Sequence, residues 1–337
     1  MALDVKVKID LTKPAGKLGF GIPLILESGV ETAIDYVECN SLADVETAGF
    51  GAGTNVYEAA SLIFMQDDAP KTIAVCATEG TAVEWLAKAA NTDKSWRQLI
   101  TIGEDSITRR SISTAIETLP GKMFFYSSSL DNVINVKDED KAYNRTVIFM
   151  GATMTDGSKG YEVAALVGAT AGKTPGSITY KNQTLKGVAP MHLQSTGLDS
   201  LHSKNCIALI AKAGDSVTSE GKALSGEYID IIDSKDYIIQ QLEYKTQKAL
   251  NTYDKIPYDN QGIAILEAIA VDVLNDCYNN GMIATNENGK PAYTVNYGLR
   301  EETSEGDRAA RKYIEGKFSF ALSGAIHEVE ITGEITV

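Results

Sequence analysis

The chain has little with which to do covalent chemistry. Its 337 residues include three histidines, His192, His202 and His327, with no clustering. That thins out acid–base and metal-ligand options. Four cysteines, Cys39, Cys76, Cys206 and Cys277, lie far apart and form no CxxC pair. They read as free thiols of a reducing cytoplasm, not as a disulfide framework or zinc site. No apolar run approaches a membrane span, so direct membrane insertion is not expected. The start, MALDVKVKID, has no apolar h-region, so no secretory signal is expected. Basic residues are also scarce. Lys and Arg total 31 against 45 Asp and Glu, for a formal net charge of −14. Such a chain repels phosphate backbones, which argues against nucleic-acid binding, and it stays soluble when free.

Sequence motifs for chemistry fail when their spacing is examined. Gly168-Ala-Thr-Ala-Gly172-Lys173-Thr174 approaches a phosphate loop, but Val167 stands where the first glycine belongs. The segment also follows a helical pattern where a phosphate loop follows a strand. Gly49-Phe-Gly51-Ala-Gly53 lies between two helical patterns, the wrong context for a dinucleotide site. The acidic clusters Asp67-Asp68, Asp138-Glu139-Asp140 and Glu301-Glu302 lack calcium-loop spacing and read as solvated loops. Ser127-Ser128-Ser129 has no nucleophile elbow and no nearby histidine. No catalytic, cofactor-binding or metal-ligating residue is assigned, and no cofactor is expected.

The chain does carry clear periodicity. From about residue 18 to 150 it alternates short apolar strands with amphipathic helices. Strands are expected at 18–26, 72–77, 98–102, 122–126 and 145–150. Helices are expected after Ser41 and Thr54 and over 81–90, 106–119 and 161–170. This pattern predicts an α/β body, a mostly parallel sheet with helices on both faces. Residues 172–200, rich in Gly, Pro, Ser and Thr, read as a loop-rich excursion. Asn205–Ala211 is a further apolar strand, and long helices are expected over 234–251 and 260–280. The implied division is an N-terminal arm (1–17), an α/β body (18–200), a region of long helices (201–312) and a C-terminal β arm (313–337).

The two ends are the unusual feature. Leu3, Val5, Val7, Ile9 and Leu11 alternate with Asp4, Lys6, Lys8 and Asp10. At the other end Phe318, Phe320, Val329, Ile331, Ile335 and Val337 continue an alternation from Tyr313 onward, broken by Ser323-Gly324. Period two predicts strands with one buried face, and an 11-residue strand reaches on the order of 36 Å. A strand must fill its hydrogen bonds somewhere. The pattern leaves two readings open: pairing within the chain, or exchange with neighbouring copies.

Two internal stretches bear on that choice. Ala164-Ala-Leu-Val-Gly-Ala-Thr-Ala-Gly172-Lys-Thr-Pro175-Gly-Ser177-Ile-Thr179, followed by Leu185-Lys-Gly187-Val188, resembles a pattern of contractile tail sheath proteins. Gly226-Glu-Tyr228-Ile-Asp-Ile-Ile-Asp-Ser-Lys-Asp236-Tyr237-Ile is similar to the sheath segment that leads into a long helix. The order of parts, arm, α/β body, long helices, arm, also fits that family of phage tails and related injection systems. The resemblance implies hexameric rings of self-associated copies stacked helically around an inner tail tube protein. It implies further partners in baseplate and tail terminator proteins, and assembly in a bacterial cytoplasm into a virion tail or phage-tail-like particle. The terminal residues Leu3 to Leu11 and Phe318 to Val337 would then pair with neighbouring copies. Alternatives are another self-assembling structural protein of tube or surface-layer type, or an α/β enzyme. The enzyme would use Asp105 and Ser127–Ser129 near a substrate loop at 172–200.

Overall fold

The structure, a computed structural model, describes residues 21–89, 95–129, 136–151, 160–327 and 329. Among them an eight-stranded sheet has the order β2-β3-β1-β4-β5-β6-β7-β8. Its strands are β1 (Ile22–Ser28), β2 (Ile34–Cys39), β3 (Ile73–Thr78), β4 (Trp96–Ile102), β5 (Met123–Ser128), β6 (Thr146–Met150), β7 (Ile207–Lys212) and β8 (Asp215–Thr218). The central strands pair in parallel, and β2 and β8 close the two edges antiparallel. Strands β3 (IAVCAT) and β4 (WRQLITI) are buried almost throughout, as expected where helices cover both faces.

On one face lie α1 (Leu42–Thr47), α2 (Asn55–Phe64) and α5 (Val163–Ala171), packed on Ile25, Val75, Ile100, Phe125 and Phe149. On the other lie α3 (Ala82–Ala89) and α4 (Ser106–Glu117), packed on Leu24, Leu26, Leu99 and Phe124. Local sequence fixes where these helices begin. The side chains of Ser41, Thr54 and Asp105 each accept a hydrogen bond from a first-turn backbone N–H. Gly49–Gly53 is the turn between α1 and α2, as its context predicted.

Helix α5 is buried along its whole length, which small residues permit. A Cβ on Gly168 would come within 2.7 Å of the Ile63 backbone, and one on Gly172 within 2.1 Å of the Asp68 carbonyl oxygen. The glycines of the near-miss phosphate loop therefore serve the close approach of α5 to α2 and to the turn after it.

The remainder is built on two long helices. Helices α7 (Ile229–Thr252) and α8 (Asn260–Asn279) pack side by side through Ile238, Leu242, Ala270, Val273, Leu274 and Cys277. A two-stranded antiparallel sheet, β9 (Tyr293–Tyr297) with β10 (Gly316–Phe320), lies against them. Short α6 (Ser195–His202) and α9 (Glu305–Ala309) complete the described helices.

Several expectations need correction. Helix α7 begins at Ile229, five residues before the expected start. Tyr228 at its cap makes no side-chain hydrogen bond, so no polar cap marked the boundary. The 172–200 excursion ends in α6, which buries only Leu201 and so has little amphipathic signature. Edge strands β2 and β8 and strand β9 were not foreseen. The division at 200 falls inside the large sheet, because β7 and β8 extend it to Thr218.

Candidate assembly surfaces and the charge cluster beneath them

The most heavily charged part of the interior joins the sheet to the helices. Arg97 is the second residue of β4, and Arg145 immediately precedes β6, so both sit at the N-terminal ends of parallel strands. Asp233 and Asp236 are three apart on α7, which places them on one helix face. Arg145 grips Asp236 with two hydrogen bonds, Nη1 to Oδ2 at 2.8 Å and Nη2 to Oδ1 at 2.9 Å. Arg97 donates to Asp236 Oδ2 at 2.9 Å, to the Gly121 carbonyl at 2.8 Å and to Asp233. The Tyr180 hydroxyl donates to the second oxygen of Asp233 at 2.7 Å. All five side chains are buried.

The electrostatics follow from that geometry. Burial disfavours charge on Arg97, but Asp233 and Asp236 outweigh it and hold the guanidinium above its usual pKa. Burial likewise opposes charge on Asp236, yet the Arg145 hydrogen bond and the Arg97 charge hold its carboxyl below the usual range. Tyr180 is pushed well up, first by burial and then by Asp233. Lys122, between the two arginines in sequence, is lowered to about 7, mainly by burial and then by Arg97. Its ammonium lies 4.4 Å from the Trp96 ring centroid and donates to the Trp96 carbonyl. No local pattern announces this cluster, because its hydrogen-bonded partners lie 53 to 139 residues apart in the chain.

The residues singled out for chemistry have structural tasks. Asp105 caps α4, accepting from the Thr108 N–H at 2.7 Å. Ser127 Oγ accepts from the Val163 N–H at 2.8 Å and so helps start α5. Burial pushes the Cys206 and Cys277 thiols up to about 12, which keeps them protonated and inert. Among the described residues no group of three or more His, Cys, Asp or Glu side chains could hold a metal ion. No described helix is long and apolar enough to cross a membrane.

The terminal strands divide into two cases. Leu3, Val5, Val7, Ile9 and Leu11 lie outside the described residues, as do Ile331, Ile335 and Val337. Phe318 and Phe320 lie in β10 and pair with Val295 and Tyr293 of the same chain. Their rings stack 6.2 Å apart and pack on the α7–α8 core. On that edge their partner is internal, and β9 is the one strand that pairs with β10 among the described residues. Beyond β10 the chain returns to the body, where His327 Nε2 and Thr179 Oγ1 share a hydrogen bond of 2.8 Å. The His327 ring also meets Tyr228 edge-on at 4.9 Å. On either side of this anchor Ile326 and Val329 are 83% and 75% exposed. The β9–β10 sheet buries one face on the helices, and among the described residues no third strand runs along it.

Comparison with known proteins places this architecture. Residues 229–335 match the family model described as the C-terminal domain of the E217 tail sheath protein gp31-like family. The match starts at the first residue of α7, the helix that carries Asp233 and Asp236. No curated protein matches the chain in sequence. Among solved structures, a chain of the anti-feeding prophage baseplate aligns over 100% of both chains, with TM-score 0.74 and 13% identity. A chain of the contracted helical sheath of the same prophage aligns over 98% of both, with TM-score 0.74 and 13% identity. The contracted sheath complex of the PVC extracellular contractile injection system aligns over 99% of this chain and 98% of that one, with TM-score 0.70 and 12% identity. From end to end this chain therefore has the fold found in sheaths of contractile injection systems, and its last third matches a tail sheath family domain.

Proposed function

We propose that this chain is the sheath subunit of a contractile phage tail or phage-tail-like particle, a structural protein and not an enzyme. It polymerises around an inner tail tube and contracts to drive that tube through a target envelope. Six copies form each ring, and the stack runs between a baseplate and a tail terminator. The particle assembles in the cytoplasm of a bacterial host. The observation that carries the reading is the whole-length fold likeness to sheath structures combined with the family match over 229–335.

In this mechanism the terminal arms are the links of the lattice. Leu3, Val5, Val7, Ile9 and Leu11 form one apolar face, and Val329, Ile331, Ile335 and Val337 form the other. Each arm adds as a strand to a neighbouring copy, and the two-stranded β9–β10 sheet is the natural acceptor. The exposure of Val329 supports this, since an apolar residue on an extended segment gains by being covered. Cross-strand pairs contribute roughly 0.2–1 kcal/mol each, so a link of several pairs holds while tolerating rotation of the bodies it joins. Contraction is then a repacking of rigid bodies between two lattices, driven by new interfaces and needing no nucleotide.

Negative-stain electron microscopy of the purified protein tests the reading directly. Ringed cylinders, open or capped, are the expected result. Monodisperse monomers at high concentration, with no polymer under any salt condition, would overturn it.

A further inference from the structure

An arginine outside the buried charge cluster has no counter-ion. A cavity of about 40 Å³ opens between α4, the end of β5 and the short turn Asp138–Ala142. One water needs about 10–15 Å³ of such space, so about three waters fit, or one compact anion. Ser106, Arg109, Arg110 and Ser113 recur at helical spacing and line it from one face of α4. The Arg109 guanidinium makes no ion pair and no hydrogen bond among the described residues, and its Nε is buried. It rests on the Tyr126 ring, whose centroid lies 5.0 Å from Cζ. Burial draws its pKa down, and Tyr126, Glu104 and Asp105 offset this only in part. Both of those carboxylates are engaged elsewhere. Glu104 accepts from the Ser28 hydroxyl, and Asp105 from the Thr108 N–H. A buried guanidinium donor left without an acceptor costs free energy unless something occupies the space in front of it.

The lining decides the sign and class of the occupant. Its one carboxylate is spent. Asp140 accepts from Arg110 Nε at 2.8 Å, from Arg110 Nη2 at 3.0 Å and from the Lys137 N–H at 2.8 Å. Glu139, the other carboxylate near Arg110, is 65% exposed and does not line the space. Two lining hydroxyls are also engaged, Ser113 with the Arg109 carbonyl and Tyr143 with Thr114, each at 3.0 Å. What remains free is donors. The side chains of Ser106, Tyr126 and Ser128 line the cavity and make no hydrogen bond among the described residues. Ser128 is only 4% exposed. Burial pushes the Tyr126 pKa well up, so its hydroxyl keeps the proton it can donate. The charge balance points the same way. Asp140 matches Arg110, and Arg109 leaves one positive charge in excess on the lining. A guanidinium fork flanked by free hydroxyls fits an oxyanion.

We propose that this cavity binds one small inorganic oxyanion such as phosphate, held by the Arg109 guanidinium and the hydroxyls of Ser106, Tyr126 and Ser128. A single unpaired arginine fits weak binding, with a dissociation constant of order 10⁻³ M. The bound anion would fasten α4 to the end of β5 through groups that have no other partner. The proposal does not depend on the sheath reading.

Equilibrium dialysis of the full-length protein against radiolabelled inorganic phosphate, at pH 8 in excess NaCl, tests it. The wild type should retain one equivalent per chain at saturation. The net charge of −14 repels anions in general, so non-specific retention is small. Arg109→Gln should weaken retention about ten-fold or more, through loss of the charge-assisted bonds, and Ser128→Ala about three-fold. Thermal unfolding in phosphate against chloride at matched ionic strength is the second readout. General salt effects persist in the variants, so only the contribution of the site separates them from the wild type. At about ten times the dissociation constant, phosphate should raise Tm by about 2 °C more in the wild type than in Arg109→Gln. If Arg109→Gln fails to fold, Ser128→Ala still decides. No retention by the wild type, or retention undiminished in the folded variants, means that the cavity holds water alone and overturns the proposal.

Discussion

At the residue scale, the same pair of charges has different worth at different depths. Asp236 accepts from two buried guanidiniums, so removing its charge leaves both short of a counter-ion in a medium that solvates them poorly. Asp236→Asn should cost about 3–5 kcal/mol in urea unfolding. Lys245 makes comparable contacts with Asp272 and Asp276, at 2.6 and 2.7 Å, but on the helix surface. Asp272→Asn should cost less than about 1 kcal/mol in the same assay. Lys122 gives the pH dependence. Its pKa falls from 10.5 unfolded to about 7 folded, so across that window the unfolded state binds more protons. Lys122 therefore makes stability rise as pH increases from 7 upward, and below 7 its penalty is full and constant. Above about pH 9 the buried Cys206 and Cys277 thiols pull the other way, because they hold protons in the fold that the unfolded chain releases. The clean comparison is Lys122→Met against wild type between pH 7 and 9. Unfolding midpoints should rise with pH more steeply in the wild type than in the variant.

At the element scale, the contact between α5 and α2 is set by glycine. No side chain fits at Gly168 without moving the Ile63 backbone. Gly168→Val should therefore push the helices apart and lower stability by about 1–3 kcal/mol or more, through overpacking. Helix propensity alone favours valine over glycine, so a stabilised variant in thermal unfolding would show that the close approach is not what fixes this position. Conversely, β9–β10 is a case where two strands are stable because one aromatic face rests on α7 and α8. A lone hairpin of this size is marginal in water.

At the scale of the whole molecule, the buried charge cluster ties the strand ends of the α/β body to α7. The proposed linkage between copies is tested at the two ends of the chain. Deletion of residues 1–12 should leave a folded, soluble protein that no longer polymerises. Ile331→Asp should do the same from the other end, by placing a charge on the apolar face shared with Val329. Sedimentation read alongside circular dichroism separates lost assembly from lost fold. Wild-type polymer yield in both would remove the arms from the assembly mechanism.

The sequence by itself determined the parts governed by local rules. Apolar runs such as Ile73–Ala77 and caps such as Thr54 and Asp105 fixed the buried strands and the helix starts, because periodicity and first-turn hydrogen bonds are properties of neighbours in the chain. It also set aside the phosphate-loop reading of 168–174 on spacing alone. The tertiary structure decided what depends on distant residues meeting. Phe318 and Phe320 look like the other alternating positions of the C-terminal segment, yet β9, some 20 residues earlier, claims them. Arg97, Arg145, Asp233 and Asp236 look like ordinary surface charges until the strand ends and α7 bring them together. Edge strand β2 and short α6 escaped notice because each buries too little to leave a pattern. Local free-energy preferences are written into adjacent residues, whereas the pairing of buried charges and the choice of strand partner exist only once the chain has folded.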